Sequence, residues 1–404
     1  MKLHHTAIRF LHLAPAVLLL PGLPCLQAQT ALKDAFKNSF RIGAALNRSH
    51  FTGENAPGAA LIKAHFNSIT PANVLKWERV HPKPDTFAFQ DPDRYVAFGE
   101  KNSMFIIGHT LVWHSQTPRW VFQDARGNPL TRDALLQRMR EHILTVVGRY
   151  KGRIAGWDVV NEALDEDGSL RQSPWLKIIG EDYIEKAFEY AHQADPGAEL
   201  YYNDYSLANE AKRKGAVELI RKLKARGVPV TGVGLQGHLK MDWPSIEQED
   251  ATILAFSQLG VTVCITELDV DVLPAATERQ TADVSLNVEA RAKLSPYPEG
   301  LPDAIQQALA RRYADLFGVF VKYRGTITRV TFWGVTDADS WLNNWPVRGR
   351  TNYPLLFDRK GQPKPAFNAA VRAASYPKAL YDESKVPQYS LPDPPPHAGR
   401  NEGH

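Results

Sequence analysis

The stretch Gly156–Leu164 reads GWDVVNEAL. It begins as a β-branched run and turns abruptly polar. Alternation along an extended strand puts Asp158 and Glu162 on one face, with Glu162 at the strand's end and Asp158 deeper. A second stretch, VCITELDV at Val263–Val270, repeats the design and aligns Glu267 with Asp269. Each is a short strand that ends in carboxylates.

Runs of this length recur along the chain. Phe40–Ala44, Asn67–Thr70, Met104–Gly108, Gly156–Val160, Glu199–Tyr202, Thr231–Leu235, Thr262–Thr266 and Arg329–Phe332 read as strands. Longer amphipathic segments lie between them, among them Asp133–Val147, Tyr183–Gln193 and Glu210–Arg226. Strand and helix patterns in alternation are the signature of βα units around a parallel sheet. Asp133 and Asp182 stand where helix starts favour acids, and Gly227 where helix ends favour glycine. Eight units in 404 residues predict an α/β fold: a single (β/α)8 TIM barrel over residues 32–374, with its active site at the C-terminal ends of the strands. An open doubly wound sheet is the alternative, but no GxGxxG or phosphate loop follows the first strand.

The two ends read differently. Lys2 and Arg9, the apolar run Phe10–Leu20 and the small-residue site Leu26-Gln27-Ala28 predict a signal peptide over residues 1–28. The run is too short and too Pro-broken to span a membrane. Lipid attachment at Cys25 is the rival, in the poor context of Leu23 and Pro24. After cleavage Cys264 stands alone, so no intrachain disulfide can form. Residues 375–404 are Pro-rich and polar, and are expected to be a disordered tail or a linker. A secreted or periplasmic monomer is expected, with no membrane contact after signal cleavage. The net charge of +4 comes without a dense Lys/Arg block, which argues against nucleic acid as a partner.

Chemistry follows each strand. The strand ends read TPANVLKW, HTLVWHSQ, NEAL, NDYS, QGHL, ELDV and WGVTDADSW. In a parallel barrel all of them emerge at one rim. Glu162 and Glu267 end the fourth and seventh of eight strands and so face each other across the mouth. An isolated glutamate after a strand is most often a solvated rim residue. Two of them flanking a cavity are what glycoside hydrolysis needs. His109, His114 and His238 also reach the rim, but without an HxH or HExxH pattern. Neither a metal nor a cofactor is expected, and His114 is assigned to structure.

WDVVNEAL, ITELDV, GHTLVWHSQTP, GVGLQGHL, YYNDY and TFWGVTDADSWL together resemble the endo-β-1,4-xylanases of glycoside hydrolase family 10, over roughly Phe36 to Ala374. The resemblance implies a retaining enzyme acting on xylan and xylo-oligosaccharides, with Glu162 as acid/base and Glu267 as nucleophile. A retaining pair stands roughly 5–5.5 Å apart, and the anionic nucleophile should raise the pKa of its partner. His238 and Asp269 are implied to orient Glu267, Asn161 to hold the 2-hydroxyl at the cleavage point, and His109 to bind the same sugar.

A groove for a neutral sugar chain needs aromatic platforms and polar edge contacts. Trp113, Trp120, Tyr205, Trp333 and Trp341 are candidate platforms; Asn73, Lys76, Gln116 and Gln236 are candidate edge contacts. Trp77 and Trp157, and on a second reading Trp120, belong to the core. By resemblance, Trp333, Trp341, Asn73 and Lys76 face the non-reducing side of the cut and Tyr205 the reducing side. One position departs from the family: Ala72 stands where a glutamate is usual, which implies an altered sugar subsite on the non-reducing side. Related β-1,4-glycanase or aryl-xylosidase specificity is the nearer alternative, and a non-catalytic xylan-binding protein the more distant one.

Overall fold

Nine strands alternate with helices in a computed structural model that describes residues 30–274 and 294–375. The predicted signal peptide and the tail beyond Ser375 lie outside the described residues. The strands are β1 Arg41–Leu46, β2 Ser68–Pro71, β3 Phe105–Trp113, β4 Gly156–Asn161, β5 Glu199–Asp204, β6 Gly232–Leu235, β7 His238–Lys240, β8 Thr262–Asp271 and β9 Ile327–Phe332. All pairings between them are parallel, and β6 pairs with β8. β1 pairs with both β2 and β9, so the sheet closes on itself.

β7 does not add a ninth stave. β6 runs along Thr262–Ile265 of β8, the chain breaks at Gly237 (φ 79°), and β7 then runs along Asp269–Asp271 of the same strand. The barrel therefore has eight staves, as the eight predicted units require. β4 and β8 are the fourth and seventh.

Parallel strands buried on both faces should read as near-continuous apolar runs, and β4 is buried along its whole length. Inside the barrel Ile107, Tyr201 and Cys264 pack together. They come from staves three, five and seven, the alternate-strand layering of this architecture. Outside, helices cover the strands. Gly108 on β3 leaves room for a side chain of the neighbouring strand, because a Cβ there would lie 2.1 Å from the buried Trp157 ring of β4.

Helix limits follow local chemistry. Thr131 and Ser173 accept from backbone amides at the starts of Arg132–Arg149 and Pro174–Ile179. Ser245 and Gln248 form a reciprocal capping box. Asp133 lies in the first turn and Asp182 at the N-cap of helix Tyr183–Ala194, both at helix starts as expected; the Asp182 side chain accepts from Arg132 Nη1 at 2.8 Å rather than from a helix amide. Gly227 takes the left-handed conformation (φ 74°) just after helix Glu210–Ala225.

Candidate active site

The C-terminal ends of the strands enclose a cleft of about 680 Å³. Asn73, Lys76, His109, Trp113, Gln116, Asn161, Glu162, Tyr205, Gln236, His238, Glu267, Trp333 and Trp341 all line it. Asp269 is buried behind His238. Trp120 is not among the lining residues. It packs against the core and donates to the Pro82 carbonyl at 3.0 Å, so the platform reading is corrected in favour of the core one. Trp77 and Trp157 are buried as expected.

Glu267 sits within a ten-residue strand, and its carboxylate is held from two sides. His238 Nε2 donates to Oε2 at 3.1 Å and Asn203 Nδ2 to Oε1 at 2.9 Å. The other imidazole nitrogen of His238 meets Asp269 Oδ1 at 3.0 Å, and Trp341 Nε1 donates to Asp269 Oδ2 at 2.8 Å. Burial alone would raise the pKa of Glu267. The His238 hydrogen bond and nearby positive charge, including Lys76, more than offset it and bring the carboxyl below its ordinary value. Burial likewise works against a charge on His238, but the two carboxylates beside it push its pKa up to about 10. The result is a carboxylate, imidazolium, carboxylate row with Glu267 as its cleft-facing end.

Glu162 is held in another way. It follows the last residue of β4 and takes a left-handed backbone (φ 57°), which an L-residue adopts at a cost of about 1–3 kcal/mol. Trp113 Nε1 donates to Oε2 at 2.8 Å; Gln236 Nε2 and Asn161 Nδ2 donate to Oε1 at 3.1 and 3.2 Å. Gln116 (φ 46°) and Ser206 (φ 53°) are also left-handed and line the same cleft. Backbone strain of this kind gathers at functional sites.

A chain of side-chain amides joins the two glutamates. Asn203 Nδ2, besides reaching Glu267, lies 2.9 Å from Asn161 Oδ1, and Asn161 in turn donates to Glu162. Thr266 Oγ1 fixes Asn203 by donating to its Oδ1 at 2.6 Å. Gly234 leaves room for that amide, since a Cβ at this position would stand 2.2 Å from Asn203 Oδ1. No role for Asn203 was read from the sequence. A signal existed: it alternates with Tyr201, which points into the barrel.

The remaining rim is organised before any sugar arrives. His109 Nδ1 is paired with buried Asp158 Oδ2 at 2.9 Å. Lys76 Nζ donates to Asn73 Oδ1 (3.2 Å) and Gln116 Oε1 (2.9 Å), and Gln116 donates to Glu78 at 2.9 Å. Trp77 and Glu78 open the short helix Trp77–Val80. Ala72 lines the cleft beside Asn73. Asn47, Asp339 and Trp345 line it too and were not singled out from the sequence; Trp345 is 62% exposed. Among the described residues, no group of three or more His, Cys, Asp or Glu side chains is arranged to hold a metal ion, and no helix is long and apolar enough to cross a membrane.

Comparison with known proteins places this geometry in context. The family model described as glycosyl hydrolase family 10 matches residues 31–373. An endo-1,4-β-xylanase A of Xylanibacter ruminicola is 45% identical over 356 residues, covering 88% of this chain and 96% of that one. The solved structure of an endoxylanase of the same family, retrieved from a sugarcane-soil metagenome, is 46% identical with a TM-score of 0.81, covering 86% of this chain and all of that one. A mutant structure in complex with xylotriose is 37% identical with a TM-score of 0.76, covering 85% of this chain and 99% of that one. With a family match over nearly all of the barrel, and a relative this similar along almost its whole length, the chain belongs to glycosyl hydrolase family 10.

Proposed function

We propose that the chain is an exported, monomeric, retaining endo-β-1,4-xylanase that cuts internal bonds of xylan and xylo-oligosaccharides with Glu267 as nucleophile and Glu162 as acid/base. The observation that carries the reading is the contrast between the two carboxylates. Glu267 is buried, yet held as an anion by His238 and Asn203; Glu162 faces the same cleft from a neutral set of donors.

In the first step a Glu267 oxygen bonds to the anomeric carbon as the glycosidic C–O bond breaks, and Glu162 gives its proton to the departing oxygen. In the second, Glu162 takes a proton from water, the water oxygen bonds to the anomeric carbon, and Glu267 leaves as carboxylate. Asn161 is suited to the 2-hydroxyl, and His109, aligned by Asp158, to the same sugar. Trp333 and Trp341 would cover the non-reducing side and Tyr205 the reducing side.

Ala72 belongs to this reading. Its methyl group lies beside Asn73 on the wall nearest β1 and β2. It cannot accept a hydrogen bond, so the second sugar on the non-reducing side is held more loosely than a glutamate would hold it.

Incubating the purified chain with xylan tests the proposal. Reducing ends and short oligosaccharides should appear, with the β-anomer first by proton NMR. An α-anomer appearing first would overturn retention, and binding without release would overturn the enzyme.

A further inference from the structure

Glu162 occupies a backbone conformation that its own residue type resists, so something outside it must hold it there. Its N–H is fixed by the Asn203 carbonyl at 2.9 Å. Its carbonyl is fixed by Arg171, whose Nε donates to Glu162 O at 3.0 Å.

The same guanidinium does more. Its Nη2 donates to Leu164 O and to the Tyr205 hydroxyl, both at 2.9 Å, and Nη1 pairs with Asp165 at 3.0 Å. Arg171 ends a small hairpin in which Leu164 bridges Leu170, and its own N–H returns to the Ala163 carbonyl at 2.8 Å. Tyr205 lines the cleft and is braced from behind by Lys212, whose Nζ lies 3.4 Å from the ring centroid. One planar, permanently charged fork thus touches the peptide of the proton donor and the aromatic ring expected to carry the leaving sugar.

We propose that Arg171 is a positioning residue that aims Glu162 at the departing oxygen and ties that aim to Tyr205. The proposal rests on Glu162 being the proton donor. A guanidinium suits the task because its donors lie in one plane and reach several oxygens at fixed angles; an ammonium on a flexible stem cannot. Nothing in the contact set reaches Glu267, so attack by the nucleophile should not depend on it.

Leaving-group dependence separates aim from general integrity. A xylo-oligosaccharide departs as a poor leaving group and needs the proton. A dinitrophenyl group departs without it. Arg171→Lys should lower kcat/KM on xylo-oligosaccharides about tenfold or more and leave kcat/KM on dinitrophenyl β-xylobioside within about twofold. Tyr205→Phe, which removes only the hydroxyl link, should show the same bias at about two- to threefold.

Equal losses on both substrates, in either variant, would reduce Arg171 to a structural residue and overturn the proposal. So would no loss on either. Glu162→Gln measured alongside assigns the failure. If it spares the dinitrophenyl substrate while Arg171→Lys shows no bias, only the positioning role falls. If Glu162→Gln itself shows no bias, the proton-donor reading falls, and the positioning role with it.

Discussion

The two sides of the barrel mouth hold their carboxylates by opposite means. On the β8 side, Glu267 lies within a buried strand and is fixed by a charged row through His238 to Asp269. On the β4 side, Glu162 stands just past the strand on a left-handed bend, and its carboxylate meets only neutral donors. The difference teaches how one fold can run two roles with one residue type. The carboxylate proposed as nucleophile is built into the barrel wall and given a cation. The one proposed to give and take the proton is placed on the loop side, where its hydrogen-bond donors are neutral.

The largest expected effect breaks the charged side outright. Glu267→Ala should lower kcat on xylo-oligosaccharides by on the order of 10⁴-fold or more, and azide should restore turnover to form an α-configured glycosyl azide. Measured rescue with a β-configured product would place the nucleophile elsewhere.

A smaller change weakens the same side without removing it. His238→Gln takes a charge-assisted hydrogen bond from Glu267 and should lower kcat/KM by about 10- to 100-fold. It also has a pH signature. The folded pKa of His238, about 10, lies above its unfolded value of roughly 6.5. Its contribution to stability is therefore complete below the unfolded value and fades as pH rises through the folded one. Melting temperatures of native protein and variant should converge between neutral pH and pH near ten. A gap that widens with pH would contradict the imidazolium assignment.

The smallest effect concerns the wall away from both carboxylates. Ala72→Glu restores an acceptor beside Asn73 and should raise kcat/KM on unbranched xylo-oligosaccharides roughly tenfold. Unchanged kinetics on branched and unbranched substrates would show that Ala72 has no part in specificity.

The sequence was legible wherever apolar periodicity and site chemistry coincide. Eight strands were visible, as were both glutamates and most of the cleft lining, but Trp120 lies off the cleft, and Asn47, Asp339 and Trp345 on it went unread. Strand lengths were not. β3 runs to Trp113 and β8 to Asp271, well past the apolar runs that mark their starts, because the inner faces of strands at a barrel mouth carry polar residues. His109 and Trp113 therefore looked like loop residues and are strand residues.

Strand alternation also put Asp158 and Glu162 on a common side through a more irregular path than it assumed. β4 shifts register against β5 between Asp158 and Val160, and the backbone inverts at Glu162. Arg171 and Asn203 were illegible for a different reason. Their importance lies in what they touch across the fold: Arg171 stands in no pattern of its own, and the alternation that aligns Asn203 with Tyr201 gives its face but not its partners.

The amide chain from Glu267 through Asn203 and Asn161 to Glu162 has a bearing on time as well as place. On the proposed mechanism, formation of the ester removes the anion facing the Asn203 N–H, so the chain loses its charged end during the half-reaction in which Glu162 takes a proton from water. The two half-reactions would then be linked by a short relay of neutral side chains, with no moving part.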